Sequence, residues 1–551
     1  MRRIVVIGGT GTFGSRIARL LAKRQRWEIV IAGRSRSRAE AFAKSLSDPK
    51  ISAAALDSGR NLLAALTALK PWLVIDVSGP FQGAEVSDYP VARVALACGA
   101  HYIDIADALG CVTHIDRLDA GAKQKGLVVI SGASSVPTLS SAVIADLARD
   151  LDEVLEVEIA ISSSNQATLG HSVHAALLSY AGKPIRIRRF GAWVENAALR
   201  DWRKIAIAVP GRAALHRRVA LCEVPDLALL PARYPALRKA MFRAGTELNI
   251  LNLASAVLAW AASHRLVESP DVFAGFASPA FNLLRRFGSG RSGMAIDLRG
   301  RRGDAFLSRR WTVLAEQGDG LWIPALAAAL LTDRLDRGAL APGARPGIDV
   351  LALADFRAEF AGLAIHEATE ELPLGIAPFR RWLGAAVDRL PPAIRRLHDD
   401  PLERGASGTA KVIRGTHPLA VLMCRCLGFP RSADSLPLRV EFEPQGGAEI
   451  WCRHFPGSRF VSRLRPWRGR PGHVLESIGP ITYGFRLDVA AEGLHMNFQA
   501  WWLCGVPLPR FLGPRIEARQ WQESETYCFS VEVGVPGLGR VIAYRGRLAL
   551  D

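Results

Sequence analysis

Over the first 150 residues, short apolar runs rich in β-branched residues alternate with stretches of helical periodicity. Ile4-Val5-Val6-Ile7, Glu28–Ala32, Ser52–Leu56, Leu73–Val77, His101–Ile105 and Leu127–Ile130 read as strands. Most are too uniformly apolar to have one wet face, as expected of a parallel sheet covered on both sides. Between them, Ile17, Ala18, Leu20 and Leu21, then Tyr89–Cys98 and Ala120–Lys125, carry helical spacing. Strictly alternating strand and helix predicts an α/β, doubly wound parallel sheet. The character changes at Val154–Ile161, whose polar and apolar residues alternate, and strands return at Met294–Leu298 and Trp311–Ala315 after a helical insertion at about 226–284. That region reads as an α+β domain for substrate binding or dimerisation. A Glu- and Pro-containing break at 366–378 leads to nine alternating segments between Val412 and Leu548, which predict a barrel or a strongly curved antiparallel sheet. The 551 residues therefore divide into 1–147, 148–365 and 371–551.

The first strand runs directly into Gly8-Gly9-Thr10-Gly11-Thr12-Phe13-Gly14 and then a helix. Gly9, Gly11 and Gly14 fit G-x-G-x-x-G, with Thr10, Thr12 and Phe13 between them. The first glycine makes the tight turn, the second admits a pyrophosphate to the backbone, and the third lets helix pack on strand. The second strand ends in Gly33-Arg34-Ser35, where a protein selective for NAD carries an acidic residue on the ribose. A guanidinium and a hydroxyl there suit a 2′-phosphate, so the expected cofactor is NADP(H) in preference to NAD(H). Asp57 is placed to reach the adenine amino group. Ser78, Gly79 and Pro80 form a loop at a carboxyl end of the sheet, where ligands bind in this fold.

Composition narrows the function classes. The net charge of +18 comes from sixty Arg against ten Lys, spread along the chain instead of concentrated in a patch or tail, which argues against nucleic acid as a partner. Clusters such as Arg186–Arg189, Arg299–Arg302 and Arg463–Arg470 read as solvated basic faces. Eight cysteines form no CxxC pair and no disulfide scaffold, and no metal site is expected. The longest apolar stretches, Ile250–Ala262 and Leu321–Leu331, fall short of the roughly 20 residues that span a bilayer. A cytoplasmic protein is expected. Ile250–Ala262 reads first as core packing and second as an acyl-chain groove or a contact peripheral to the inner face of a membrane; a homodimer through the 148–365 domain is a further expectation.

Taken together, GGTGTFG, the AGR ending of the second strand, DVSGPF, HYIDIAD and the Gly132–Pro137 run resemble the saccharopine dehydrogenase-like NAD(P)-binding proteins, a group that includes saccharopine reductases and trans-acting enoyl reductases. The likeness extends over roughly residues 1–365, and the remainder resembles an uncharacterised bacterial domain found fused behind such proteins. It implies that Gly9, Gly11, Gly14 and Arg34 bind the cofactor and that Ser78, Gly79 and Pro80 line its nicotinamide side. The chain departs from the family where Ser134 stands in place of an Asp before Ser135, so saccharopine itself is not carried over as the substrate.

Hydride transfer needs positioning and one proton donor. The candidates are His101, Tyr102, Asp104 and Asp107 along and after the fifth strand, and His171 and His174 after Gly170. Neither Tyr89 nor Tyr102 is followed four residues on by Lys, which excludes a short-chain dehydrogenase pair, and no GxSxG elbow is present. Two readings stand. One is an oxidoreductase acting on a C=O, C=N or C=C bond of an apolar or lipid-like small molecule, with the aromatic-rich C-terminal domain binding it. The other is a non-catalytic NADP-sensing or lipid-interaction protein that keeps the nucleotide site.

Overall fold

A computed structural model describes residues 1–57, 61–79, 81, 89–166, 180–267, 283–445 and 447–551. The chain forms two compact units: residues 1–187 with 194–372, and residues 373–551 with the short segment 188–193.

The first unit contains two sheets. Strands β1 (Arg3–Ile7), β2 (Glu28–Gly33), β3 (Ile51–Ala55), β4 (Leu73–Asp76), β5 (His101–Asp104) and β6 (Val128–Ser131) are the six expected from the apolar runs. The order is β6-β5-β4-β1-β2-β3, all parallel. Alternate residues of β1 enter different cores, Ile4 and Val6 on one face and Val5 and Ile7 on the other, which is why the runs show no polar alternation. The helix Gly14–Arg24 (α1) buries Ile17, Ala18, Leu20 and Leu21, and its last residue, Arg24, pairs with Asp333 and Glu359 at 2.6 Å each. Cation and helix C-terminus attract one another there.

The second sheet is built from β7 (Glu153–Ser163), β8 (Pro184–Arg189), β9 (Ala192–Ala197), β10 (Arg203–Ile207), β11 (Leu215–Leu221), β12 (Lys239–Thr246), β13 (Ser292–Arg302) and β14 (Ala305–Ala315). Strand β15 (Gly343–Pro346) then returns to the first sheet beside β6 as a seventh strand, and β16 (Ile365–Pro373) ends the second sheet next to β14. The stretch 226–284, expected to be a helical insertion, contains β12, which pairs parallel to β7 at the centre of this sheet. Its apolar run Ala240-Met241-Phe242 fits a buried strand as well as a helix, and tertiary pairing decides between them.

Two further readings change. The helix Asn249–Ser263 is not packed into the core through its apolar face: Ile250, Leu253, Val257 and Trp260 are exposed, while Asn252 and Ala259 are buried. The Arg299–Arg302 cluster is not merely solvated. On β13, Arg299 and Arg301 pair with Glu156 (2.7 Å) and Glu153 (3.0 Å) of β7, and Arg302 pairs with Asp150 (2.6 Å).

The second unit is a closed antiparallel barrel of ten strands. These are β17 (Arg404–Arg414), β18 (Ala433–Gln445), β19 (Ala448–Phe455), β20 (Ser458–Pro466), β21 (His473–Ile478), β22 (Ile481–Ala490) and β23 (Gly493–Leu503), then, after the short β24 (Val506–Leu508), β25 (Arg515–Glu523), β26 (Thr526–Val535) and β27 (Gly539–Leu550). The β22–β23 pairing closes the ring, and β24 adds to β23 as a flap. Strands β21 and β24 escape the sequence pattern because both are short and one is flanked by a Gly-rich turn. Phe379 and His398, from the helices Pro378–Leu383 and Pro392–His398, stack on one another (centroids 4.0 Å) and on Trp451 of the barrel.

The second sheet depends on one buried cation. Arg243 on β12 is fully buried and donates to Glu158 (2.9 Å) and Asp201 (2.6 Å), while Lys239 reaches Glu158 at 3.1 Å. These two cations, opposing the cost of burial, leave Glu158 well below the usual carboxylate range. Removing one partner of a buried network strands the others, at a cost of about 3–5 kcal/mol. Arg243→Leu is therefore expected to reduce the unfolding free energy of the first unit by an amount in that range, measured by denaturant titration; a loss under about 1 kcal/mol refutes the assignment.

Candidate functional site

Parallel register brings Ile7, Asp76 and Asp104 level with one another, with Ser131 next in line, at the carboxyl edge of the first sheet. The glycine loop leaves this edge from β1. Gly8 has φ +74°, and a Cβ there would lie 2.6 Å from the Val77 carbonyl oxygen. A Cβ on Gly9 would meet the Val6 oxygen at 2.9 Å, and one on Gly14 the Gly8 oxygen at 2.3 Å. The loop thus lies against both its own helix and the loop after β4, with room for backbone but not for side chains. Thr10 and Gly11 stand exposed at its tip, Thr12 and Phe13 are half-buried, and Gly14 opens α1. This is the shape in which backbone N–H groups and a helix start face a diphosphate.

At the end of β2, a Cβ added to Gly33 would lie 4.0 Å from Thr10 Oγ1, so this position looks onto the glycine loop. Arg34 follows, exposed, and no ion pair is formed to it among the described residues. Ser35 caps the next helix by accepting from the Arg38 N–H (3.4 Å), and Arg36 is occupied by Glu40 (2.8 Å). The Leu56 N–H donates to the Gly33 oxygen, placing the exposed Asp57 beside this turn. The residues predicted for the nucleotide are thus brought together along one edge. Pro80 lies outside the described residues; Ser78 and Gly79 follow β4 next to Gly8.

The candidate proton donors separate. His101 is the first residue of β5, level with Leu73 and Ile4, at the amino edge of the sheet. Its Nδ1 accepts from the Val128 N–H (3.0 Å), its ring packs edge-on to Trp72, and burial and Arg2 hold its pKa down. That position is a strand length away from the glycine loop, so His101 is corrected to a neutral, structural side chain. His171 and His174 lie outside the described residues.

Tyr102 and Asp104 do reach the carboxyl edge, where both are buried and both serve as ties. The Tyr102 hydroxyl donates to Asp76 Oδ2 (3.3 Å), and Asp76 Oδ1 accepts from the Ser78 N–H (2.9 Å) and hydroxyl (2.6 Å). Asp104 Oδ1 accepts from the Ala106 N–H, the Gly132 N–H and the Ser131 hydroxyl, each at 2.9 Å. One carboxylate fixes the loop after β4; the other fixes the loops after β5 and β6. Burial raises both, Asp104 to about 6, and the hydrogen bonds offset only part of that. Asp104 Oδ2 is buried without a hydrogen-bond partner among the described residues.

Sequence patterns gave no sign of a second group. Tyr180 is half-buried and faces Cys222 at the end of β11, within electrostatic range of Asp107 and Glu223. Burial pushes the Tyr180 hydroxyl well above its ordinary range and raises Glu223. No spacing rule joins residues 107, 180 and 223; the fold does.

The chain is similar to known proteins in both its N-terminal and its C-terminal parts. Residues 4–130 match the saccharopine dehydrogenase NADP binding domain, and residues 390–548 match a domain of unknown function, DUF4166. The chain joins these two domains. No curated relative matches it. Among solved structures, saccharopine dehydrogenase (L-Glu forming) from Saccharomyces cerevisiae superposes with TM-score 0.50 at 11% identity, covering 68% of this chain and 100% of that one. GenD2 from gentamicin A biosynthesis, in complex with NAD, matches at 14% identity and TM-score 0.31 over 68% and 96% of the two chains. Biliverdin reductase from Synechocystis, with biliverdin and NADP+, matches at 13% and 0.28 over 64% and 94%. The domain match and the superposition on the yeast enzyme give the chain a saccharopine dehydrogenase-like NAD(P) oxidoreductase fold, with a nicotinamide cofactor domain over residues 4–130. No helix among the described residues is long and apolar enough to cross a membrane.

Two outcomes follow from the edge. Gly14→Ala must displace either the Gly8 carbonyl or α1, and is expected to weaken nicotinamide nucleotide binding at least tenfold, about 1.4 kcal/mol, in a fluorescence titration; unchanged affinity refutes the cradle. Asp104 has a folded pKa of about 6 against an ordinary 3.8. Its contribution to stability is therefore full below the lower value and lost as pH rises through the upper one. Melting temperatures followed across that window should fall more steeply for the native chain than for Asp104→Asn, and parallel curves count against the raised pKa.

Proposed function

We propose that the chain is an NADP(H)-dependent oxidoreductase that transfers a hydride to or from a C=O, C=N or C=C bond of an apolar, lipid-like small molecule, which the C-terminal unit binds. The observation that carries the cofactor assignment is the glycine cradle opposite an exposed Arg34, with no acidic residue at the end of β2. A bound nicotinamide supplies the hydride. The chain's own part is to seat the diphosphate on Gly9–Gly14, to take the 2′-phosphate on Arg34 and Ser35, and to hold the nicotinamide-side loop through Asp76 and Ser78. Asp104 and Tyr102 act as positioning residues, since both are buried and engaged with loop backbone or carboxylate. The proton is then assigned to the group around Tyr180, where Asp107 and Glu223 stand within electrostatic range of the hydroxyl and can share its supply.

The sensing alternative draws on the same observation about Asp104 and Tyr102, because neither is free to face a substrate. Consumption of NADPH on a panel of apolar ketones, imines and enoyl compounds separates the two readings. The oxidoreductase is expected to turn over at least one class and to lose that activity, with NADPH affinity retained, in Tyr180→Phe. NADPH binding without turnover on any class favours the sensor.

Cofactor choice has its own test. Charge-assisted hydrogen bonds contribute about 1.5–3 kcal/mol, so Arg34→Ala should weaken NADPH roughly 10- to 150-fold while leaving NADH affinity nearly constant, and the loss should shrink at high salt. Equal weakening of both cofactors makes Arg34 structural, and tighter binding of NADH by the native chain overturns the NADP assignment.

A further inference from the structure

Eight strands suffice to fill a barrel with side chains, and the ten here leave space. The interior holds a cavity of about 80 Å³ walled by residues such as Phe442, Trp451, Phe485, Met496, Ala518 and Phe529. Against that apolar wall stand two buried charges, while Arg519, which also borders the cavity, is exposed and lies over the Trp521 ring. Arg453 of β19 and Glu476 of β21 both line the cavity, with side chains only 8% and 13% exposed and 3.7 Å apart. The guanidinium donates to Ser462 Oγ at 2.9 Å and lies over the rings of Trp451 and Phe460, about 5 Å from each centroid. Three tyrosines, Tyr483, Tyr527 and Tyr544, line the same space. None of their hydroxyls has a hydrogen-bond partner among the described residues. A hydroxyl without a partner is available to a ligand oxygen, and all three tyrosines line this one cavity.

The charge count selects the occupant. Arg453 and Glu476 balance each other, so a carboxylate entering the cavity would bring an uncompensated charge into a low dielectric and face Glu476. A neutral oxygen meets no such barrier, because it can accept from a tyrosine hydroxyl or the guanidinium while its apolar part replaces empty space. Room for one water takes about 10–15 Å³ and a benzene ring about 150 Å³, so the cavity of about 80 Å³ accepts the head end of an acyl chain.

We propose that the barrel interior binds an apolar molecule through a single neutral carbonyl or hydroxyl group, seated against Arg453 and the tyrosine hydroxyls. This deepens the reading in which the C-terminal unit holds the apolar substrate, by giving the head group and its seat.

The test uses the full-length chain, with 2-octanone, 1-octanol and octanoate as probes, followed by calorimetry and tryptophan fluorescence at pH 8. NADPH is titrated in parallel on every sample. The ketone and the alcohol are expected to bind one per chain, with octanoate at least tenfold weaker. Ala518→Phe, which fills the cavity, should abolish ketone binding. The pair Tyr527→Phe with Tyr544→Phe keeps the volume and should weaken the ketone about tenfold, so the proposal stays testable if the first variant does not fold. Octanoate binding as tightly as the ketone overturns the neutral head group. Ketone affinity untouched by either variant places the site elsewhere and overturns the proposal. If no probe binds while NADPH does, the cavity holds water alone and the proposal fails with the cofactor assignment intact. If the ketone binds and NADPH does not, the cofactor assignment fails and the barrel site stands.

Discussion

Asp76 and Asp104 end adjacent parallel strands in register, so their side chains emerge side by side at the edge where the nucleotide domain meets its ligand. Both are buried, and two like charges in that setting are costly. The structure offsets the cost with hydrogen bonds from the loops themselves. Ser78 closes on Asp76, and Ala106, Ser131 and Gly132 close on Asp104. Three loops that would otherwise be free of one another are therefore tied to a common line, and the glycine loop is pressed against the first of them because Gly8 has no Cβ to hold it off Val77. Every feature assigned to cofactor binding, apart from the Arg34 turn, depends on that edge.

The same arrangement explains why donor chemistry was hard to read from residue types. Tyr and Asp on a strand leading to the ligand edge are natural acid–base candidates, and both arrived at the right end. Their neighbours in space, not their identity, made them ties: Tyr102 found Asp76, twenty-six residues away, and Asp104 found the start of the loop after β6. His101 failed for a simpler reason. Strand direction places the first and last residues of a four-residue strand on opposite edges of the sheet, and only the last can face the nucleotide.

How much of the fold was legible follows the same division between local and distant causes. The six strands of the parallel sheet announced themselves because burial on both faces removes polar residues, and the glycine motif because a loop against a helix excludes Cβ atoms locally. Strand β15 was not visible as part of that sheet, since Gly343–Pro346 joins β6 after some two hundred residues and has no apolar run. Strand β12 resembled a helix until β7 paired with it. The arginines show the contrast most plainly. Read along the chain, Arg299–Arg302 is a basic cluster; read across the sheet, its members face Glu153, Glu156 and Asp150, so a large net positive charge coexists with few unanswered charges in the second sheet.

In the barrel, alternation along each strand implied an inward and an outward face without saying what the inward face surrounds. A sandwich, an open curved sheet and a closed barrel share one period, and closure rests on the single pairing of β22 with β23. Only closure turns Arg453 and Glu476 from ordinary cross-strand charges into groups shut inside an aromatic wall. A buried ion pair of this kind is seldom favoured for stability over apolar residues of the same volume. Had the barrel only to fold, Leu or Met at both positions would serve as well, and the tyrosines facing them could be Phe. Arg453, Glu476 and the three tyrosines instead line one shared cavity, a placement that the proposed recognition role requires and folding alone does not.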